Sequence, residues 1–321
     1  MSKKNDTYSV VGDIGGTNSR FALVKKECNR LFRIKVYKNK EFRSFYEVLA
    51  RYLSETLKPG ERIEKGVFAV AGPVLKDEVK LTNIGWKISC SYLKKKFGFS
   101  KTLLVNDLYA LAGSSLIVKR KYFRVLKPGA RKKPCPRAFI APGTGLGESV
   151  LVSVAPPIIL PTEGGHIFFA PKDQEEFDYI QFLKSKNEEL SWEKALSGIA
   201  LSYWYEFFWK EVLKPEEITQ NALNGDEKAL KVIKKFFNLL GRKTSQVALM
   251  TLPAGGIYIS GGVAQAMREF FSKREFIQEF IEGYFLNKKM SSILDKFEIS
   301  LFIDYPYPVL LGALAILHTQ K

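Results

Sequence analysis

Residues 10–24, VVGDIGGTNSRFALV, constrain this chain more than any other stretch. An apolar strand at residues 8–11 runs through Gly12, Asp13 and Ile14 into Gly15, Gly16, Thr17 and Asn18, and a second strand begins at Arg20. Such a pattern folds as a β-hairpin with a glycine-rich tip. A tip without side chains lets the backbone approach a bulky ligand, and successive N–H groups turned into one concavity attract an anion. Asp13 sits badly beside an anion unless a cation, such as phosphate-bound Mg²⁺, lies between them. The spacing matches neither a Walker A loop nor G-x-G-x-x-G. Taken alone, an ordinary tight hairpin is an equal reading.

The length of 321 residues favours two domains. Apolar content of 46% with 26% charged residues is that of a globular chain. No secretory signal is visible, because Asp13 interrupts the apolar run behind the basic N-terminus. Residues 138–161 carry one charge, Glu148, but their three glycines and four prolines argue against a membrane-spanning helix. Cys28, Cys90 and Cys135 are too scattered for a disulfide framework or a zinc cluster, so a reducing cytoplasm is expected. The net charge of +17 is uneven: residues 119–137 hold nine Lys/Arg, and no acid lies between Asp107 and Glu148. Pro128, Gly129, Pro134 and Pro136 favour a surface loop there. A nucleic-acid patch and a potential that steers an anionic ligand are the alternatives.

Further along, strands are expected at residues 31–36, 66–71 and 101–105, and helices at 44–57, 86–97 and from Asp107. A second glycine-tipped hairpin follows: a strand at 138–141, the turn GTGLG at 143–147 and a strand at 149–154. Its recurrence points to a duplicated architecture. Helices are expected at 175–184, 191–209, from Pro215, and at 227–252. A strand at 257–260 leads through Gly261-Gly262 to a helix at 263–271, and a last strand at 297–303 precedes an apolar helix at 309–317 that packs back on the first domain. Strands alternating with helices give an α/β sheet of mixed direction.

Four constellations carry chemistry. Residues 103–107, LLVND, deliver Asn106 and Asp107 to the C-terminal end of a strand, where open α/β sheets bind ligands. Asp107 there is either a general base or the cap of the following helix. In PTEGGH, residues 161–166, a glycine pair bends the backbone so that Glu163 and His166 face one small ligand. That pair makes a poor zinc site but suits vicinal hydroxyls; an ordinary loop histidine is the alternative. Gly143, Thr144 and Gly145, with the first hairpin, form a two-tip clamp for phosphates. Gly261-Gly262 either admits a flat base or marks a close helix–strand contact.

Taken in order, GDIGGTN, the strand ending in Asn106-Asp107, GTGLG, EGGH, Leu196-Ser197-Gly198 and Ile259-Ser260-Gly261-Gly262 resemble the bacterial glucokinases, within the hexokinase, actin and heat-shock ATPase superfamily. The resemblance spans residues 8–317. It implies two actin-like, ribonuclease H-like α/β domains with an interdomain active-site cleft, residues 1–117 with 307–321 and residues 118–306. It implies ATP phosphates on Gly12, Asp13, Ile14, Gly15, Gly16 and Thr17 and on Gly143, Thr144 and Gly145, with Gly261 and Gly262 bordering the adenosine. The sugar ligands it implies are Asn106, Asp107, Glu163, His166 and Glu193, with Asp107 as the base and Asp13 holding a water of Mg²⁺.

The implied activity is ATP-dependent phosphorylation of glucose to glucose 6-phosphate. A kinase of another hexose and a non-catalytic sugar- and nucleotide-binding regulator remain alternatives. Glucose and ATP are the expected partners, membrane and nucleic acid are not, and the oligomeric state stays open, a homodimer included. Two positions depart from the family pattern: Phe168 stands for an Asp and Ala200 for a Gly. The Cys-rich zinc motif of the related repressor and kinase family is absent, and too few residues precede Tyr8 for a DNA-binding helix pair.

Overall fold

The structure, a computed structural model, describes residues 6–25, 28, 30–72, 74, 77–81, 84–132, 134, 136–302 and 307–319. Cys135 and Ile303 therefore lie outside the described residues. The chain divides into two compact units, Met1–Arg120 with Tyr305–Lys321, and Lys121–Asp304.

In the first unit, β1 (Thr7–Ile14), β2 (Asn18–Lys25) and β3 (Phe32–Lys38) form an antiparallel meander, followed by α1 (Phe45–Thr56). Strand β4 (Arg62–Val70) pairs parallel with β1; β5 (Glu78–Leu81) and β6 (Trp86–Ser89) make a small separate hairpin. Helix α2 (Cys90–Phe97) leads to β7 (Lys101–Asn106), parallel to β4, and β7 runs straight into α3 (Asp107–Ser114). The sheet order is β3-β2-β1-β4-β7. Alternation along β1 splits its apolar residues between two cores. Val10 and Ile14 join Phe21, Phe45, Leu49 and Phe68, whereas Val11 joins Ala22, Val67 and Ala69 on the other face. Both faces being covered explains the nearly continuous apolar runs.

The second unit holds β8 (Phe123–Lys127), β9 (Arg137–Pro142), β10 (Leu146–Val154), β11 (Pro157–Thr162), α4 (Gln174–Ser185), α5 (Trp192–Ala195), α6 (Gly198–Trp209) and α7 (Pro215–Leu223). After these come α8 (Glu227–Thr251), β12 (Ile257–Ile259), α9 (Gly262–Ala266), α10 (Arg274–Tyr284), α11 (Ser291–Leu294) and β13 (Ile299–Phe302). The sheet order is β11-β10-β9-β12-β13-β8. Strands β9, β10 and β11 repeat the antiparallel meander, and β12 and β13 repeat the two parallel strands. The recurring hairpin thus belongs to a recurring sheet topology. Ile233, Phe237 and Leu240 of α8 lie fully buried in this unit's core. The last helix, α12 (Pro308–Thr319), belongs to the first unit and packs on α3, β4 and β1.

Several expected elements differ. Residues 86–97 are strand β6 and then helix α2, because Trp86 and Ile88 are buried while Lys87 between them is exposed. Residues 191–209 break at Leu196, which is non-helical (φ −144°, ψ 73°), and Ser197 starts a new helix by accepting from the Ala200 N–H. The helix expected at 263–271 stops at Ala266, and Phe270–Ser272 form a separate 3₁₀ turn. The basic stretch 119–137 is not simply a loop. Phe123–Lys127 is a strand paired with β13, and the buried Lys127 ammonium donates to the carbonyls of Pro128, Asp295 and Phe297.

Candidate functional site

The first hairpin turns at Gly15, Gly16 and Thr17, with Gly15 N–H donating to Asn18 O at 3.0 Å. Its carbonyls are held from one side by the buried Asn39, whose Nδ2 donates to Gly15 O at 2.7 Å and Gly16 O at 3.2 Å. Ser19 Oγ in turn donates to Asn39 Oδ1 at 2.7 Å. Asn39 thereby fixes the shape of the turn from its carbonyl side. Asn39 was not legible in sequence; only a polar residue following strand β3 marks it. Gly12 has a packing reason instead: a Cβ there would lie 2.7 Å from Phe68 Cδ1. Ile14 is buried beside it.

Asp13 and Arg20 face each other across the hairpin, with Arg20 Nη1 3.0 Å from Asp13 Oδ2. Burial pushes the Asp13 carboxyl above its ordinary value, and Arg20 pulls it back. Among the described residues no three carboxylates, histidines or cysteines cluster as a metal site. Mg²⁺ in phosphoryl-transfer sites keeps several waters and uses one or two carboxylates plus phosphate oxygens, so the single carboxylate of Asp13 fits that donor set.

Ile14 pairs with Val70, and Val70 pairs with Asn106, so β1, β4 and β7 end in register. The hairpin tip and the Asn106-Asp107 pair therefore leave the same end of one sheet, two strand spacings or about 10 Å apart. Asn106 is the cap of α3: its Oδ1 accepts from Leu108 N–H at 2.8 Å and Tyr109 N–H at 3.3 Å, and its Nδ2 donates to Gly72 O at 3.2 Å. Asp107 is the first residue inside the helix, and its Oδ1 accepts from Leu108 N–H at 2.9 Å. The cap that Asp107 was a candidate for belongs to its neighbour.

In the second unit, Gly143 N–H donates to Gly145 O at 2.8 Å, and Gly198 N–H donates to Gly143 O at 2.7 Å, closing the tip against the start of α6. Leu146 directly follows this tip and organises the EGGH region. Its N–H donates to Glu193 Oε2 at 2.9 Å, and a Cβ on Gly165 would come within 2.0 Å of its carbonyl oxygen. Glu163 begins a 3₁₀ turn, Gly164–His166, in which His166 N–H donates to Glu163 O at 3.0 Å. Two backbone bonds, Trp192 N–H to Ile167 O at 3.0 Å and Phe169 N–H to Leu190 O at 2.9 Å, join this turn to the start of α5. The segments that carry Glu163, His166 and Glu193 are thereby joined beside the start of β10. The half-exposed His166 ring has Nδ1 3.6 Å from Glu189 Oε2. Phe168 is 84% exposed.

A cleft of about 960 Å³ opens beside the same tip, lined by Gly143, Thr144, Gly262 and the side chains of Tyr203, Val212 and Gln220, among others. Its size and mixed lining suit a heterocycle with a polar tail. Gly261, which precedes the lining residue Gly262, has φ +98°, and a Cβ there would come within 2.4 Å of Pro142 O. The α6 and α7 side chains that line the cleft escaped sequence reading, because nothing in their pattern separates them from an ordinary amphipathic face.

Two units of this sheet topology, each with a glycine-tipped hairpin, define an actin-like kinase fold. The family model for glucokinase matches residues 10–320. A glucokinase of Hahella chejuensis (strain KCTC 2396) is 33% identical over 332 residues, covering 100% of this chain and 99% of that protein. The crystal structure of a glucokinase from an Antarctic psychrotroph is similar with a TM-score of 0.84 and 27% identity, covering 99% of this chain and 100% of that one. That of Balamuthia mandrillaris glucokinase in complex with glucose has a TM-score of 0.85 at 21% identity, covering 99% of this chain and 95% of that one. The chain belongs to the glucokinase family.

Proposed function

We propose that this protein transfers the γ-phosphoryl group of ATP to the 6-hydroxyl of glucose. The observation that carries the reading is the double use of Leu146, which ties Glu193 and the EGGH turn to the residue just after the second glycine tip. Groups suited to vicinal hydroxyls and a turn suited to phosphate thus share one strand end. The Balamuthia relative is a glucokinase solved with glucose, which supports glucose as the sugar.

In this reading Asp107 is the general base. Its carboxylate takes the proton of the 6-hydroxyl as that oxygen bonds to phosphorus, while the bond from phosphorus to the β–γ bridging oxygen breaks and ADP leaves with the electron pair. Asn106, Glu163, His166 and Glu193 hold the sugar hydroxyls. Gly12, Asp13, Ile14, Gly15, Gly16 and Thr17, together with Gly143, Thr144 and Gly145, position the phosphates, with Gly261 and Gly262 beside the adenosine. Asp13 would hold Mg²⁺ through water, and the ion when bound would supply charge neutralisation on the phosphates. Phosphoryl transfer depends mainly on such positioning and electrostatics.

A coupled assay across donors and hexoses tests the proposal. Glucose with ATP is expected to give the highest kcat/KM. Equal rates with mannose or fructose would refute glucose selectivity, and faster turnover with ADP or polyphosphate would refute the donor.

A further inference from the structure

Beneath the EGGH turn lies a buried ion pair that the chemistry above does not use. Lys243 Nζ of α8 stands 2.8 Å from Glu148 Oε1 of β10, with side chains 1% and 7% exposed. Both ions have left water. At that depth their attraction does little more than offset the loss of hydration, so a well-packed apolar pair would stabilise the fold equally well. The placement points to another use.

The Lys243 ammonium also donates to Gly164 O at 2.8 Å. The Glu148 carboxylate lies directly against Gly164, where a Cβ would come within 2.3 Å of Oε2. Thr162 Oγ1 completes the grip: it donates to the Glu148 carbonyl and accepts from Gly164 N–H, each at 3.3 Å. Gly164 is the residue between Glu163 and the Gly165-His166 step. On its other side Lys243 Nζ lies 5.4 Å from the centre of the Trp192 ring, and Trp192 immediately precedes Glu193. One ammonium group thus meets the backbone of one segment that carries candidate sugar ligands and a side chain of the other.

We propose that Lys243, anchored by Glu148, is a positioning residue of the sugar site, setting the separation of Glu163 and His166 from Glu193 through Gly164 and Trp192. This rests on the glucokinase reading. A catalytic group misplaced by about 1 Å can lose on the order of 100-fold in rate, so a device that fixes two segments together has functional leverage. Burial raises the Glu148 carboxyl and lowers the Lys243 ammonium relative to their ordinary values, while each partner opposes the shift of the other.

The test compares wild type with Lys243→Met and with the double variant Glu148→Gln, Lys243→Met. The single variant strands a buried carboxylate and can fail to fold. The double variant removes both charges at nearly constant volume and is the decisive one. It is expected to melt close to wild type, with KM for glucose raised about 10- to 100-fold and KM for ATP unchanged. Glucose titration followed by tryptophan fluorescence should show the same loss without any turnover. A stable double variant with the wild-type KM for glucose overturns the proposal, as does one that raises both KM values together. A wild type that neither binds nor phosphorylates glucose overturns the glucokinase reading first and this proposal with it.

Discussion

The Glu193 carboxylate accepts a hydrogen bond from the Leu146 backbone N–H at 2.9 Å, although 47 residues separate them. Through that bond a candidate sugar ligand is fixed to the residue that follows the second glycine tip. A Cβ on Gly145 would lie 2.2 Å from Glu193 Oε2, the movable end of a side chain. Gly145→Ala should therefore fold and displace Glu193, raising KM for glucose about tenfold or more. By contrast, a Cβ on Gly165 meets the fixed carbonyl of Leu146 at 2.0 Å. Gly165→Ala should cost about 1–3 kcal/mol of stability, as overpacking does. Steady-state kinetics beside thermal melts separate the two outcomes.

Asn106 and Asp107 should also separate. Because Asn106 supplies the cap of α3, Asp107→Asn should leave the melting temperature nearly unchanged and lower kcat about 10²- to 10⁴-fold. Asn106→Ala should cost about 1 kcal/mol through the lost cap. A kcat for Asp107→Asn near wild type would remove Asp107 from the chemistry.

Ala266 lines the cleft beside Gly143 and Gly262 and is exposed. Ala266→Trp would fill that space. The expected result is a KM for ATP raised about tenfold with glucose binding measured without nucleotide unchanged, the pattern of lost ground-state binding. Equal damage to both ligands would place the nucleotide elsewhere.

Acid should weaken the first unit through Glu61. Arg33 grips this carboxylate with Nη1 at 2.5 Å and Nη2 at 2.9 Å, and the Lys58 N–H adds a bond at 2.8 Å. These bonds, Arg33 foremost, hold Glu61 down at about 2 from an ordinary 4.5. A carboxylate with a depressed folded value stabilises above the unfolded value, and that contribution is lost as pH falls from 4.5 towards about 2. Glu61→Gln should be less stable than wild type at neutral pH, with the difference shrinking across that window. Denaturation midpoints along a pH series measure it.

The glycine hairpins were legible because tight turns accept few residue types, and the helix expected over 44–57 was legible because Ser44 can cap it, as its side chain does by accepting from Glu47 N–H. Residues 86–89 misled because a four-residue alternation, Trp86 and Ile88 in and Lys87 out, also fits the start of an amphipathic helix. Helix α10 went unread although Phe276, Ile277, Phe280 and Ile281 repeat at helical spacing. At the site, each ligand motif could be read locally, but the contacts that join them could not. Leu146 to Glu193 and Glu148 to Lys243 each join residues far apart in sequence, which only the tertiary fold brings together. The one available signal was Glu148 itself, a lone charge inside an otherwise uncharged stretch.

The terminal helix has a consequence for how the chain is made. Gly312 passes so close to α3 that a Cβ on it would lie 1.5 Å from the Ala110 carbonyl oxygen, and Leu310, Leu311 and Leu314 complete a core with Val11, Ala22 and Val67. During synthesis the first unit therefore has an open apolar face until residues 308–319 leave the ribosome. The unit encoded in between is contiguous and can close earlier. A nascent chain truncated before Pro308 should bind chaperones through that uncovered face, and its release should follow the arrival of residues 308–319.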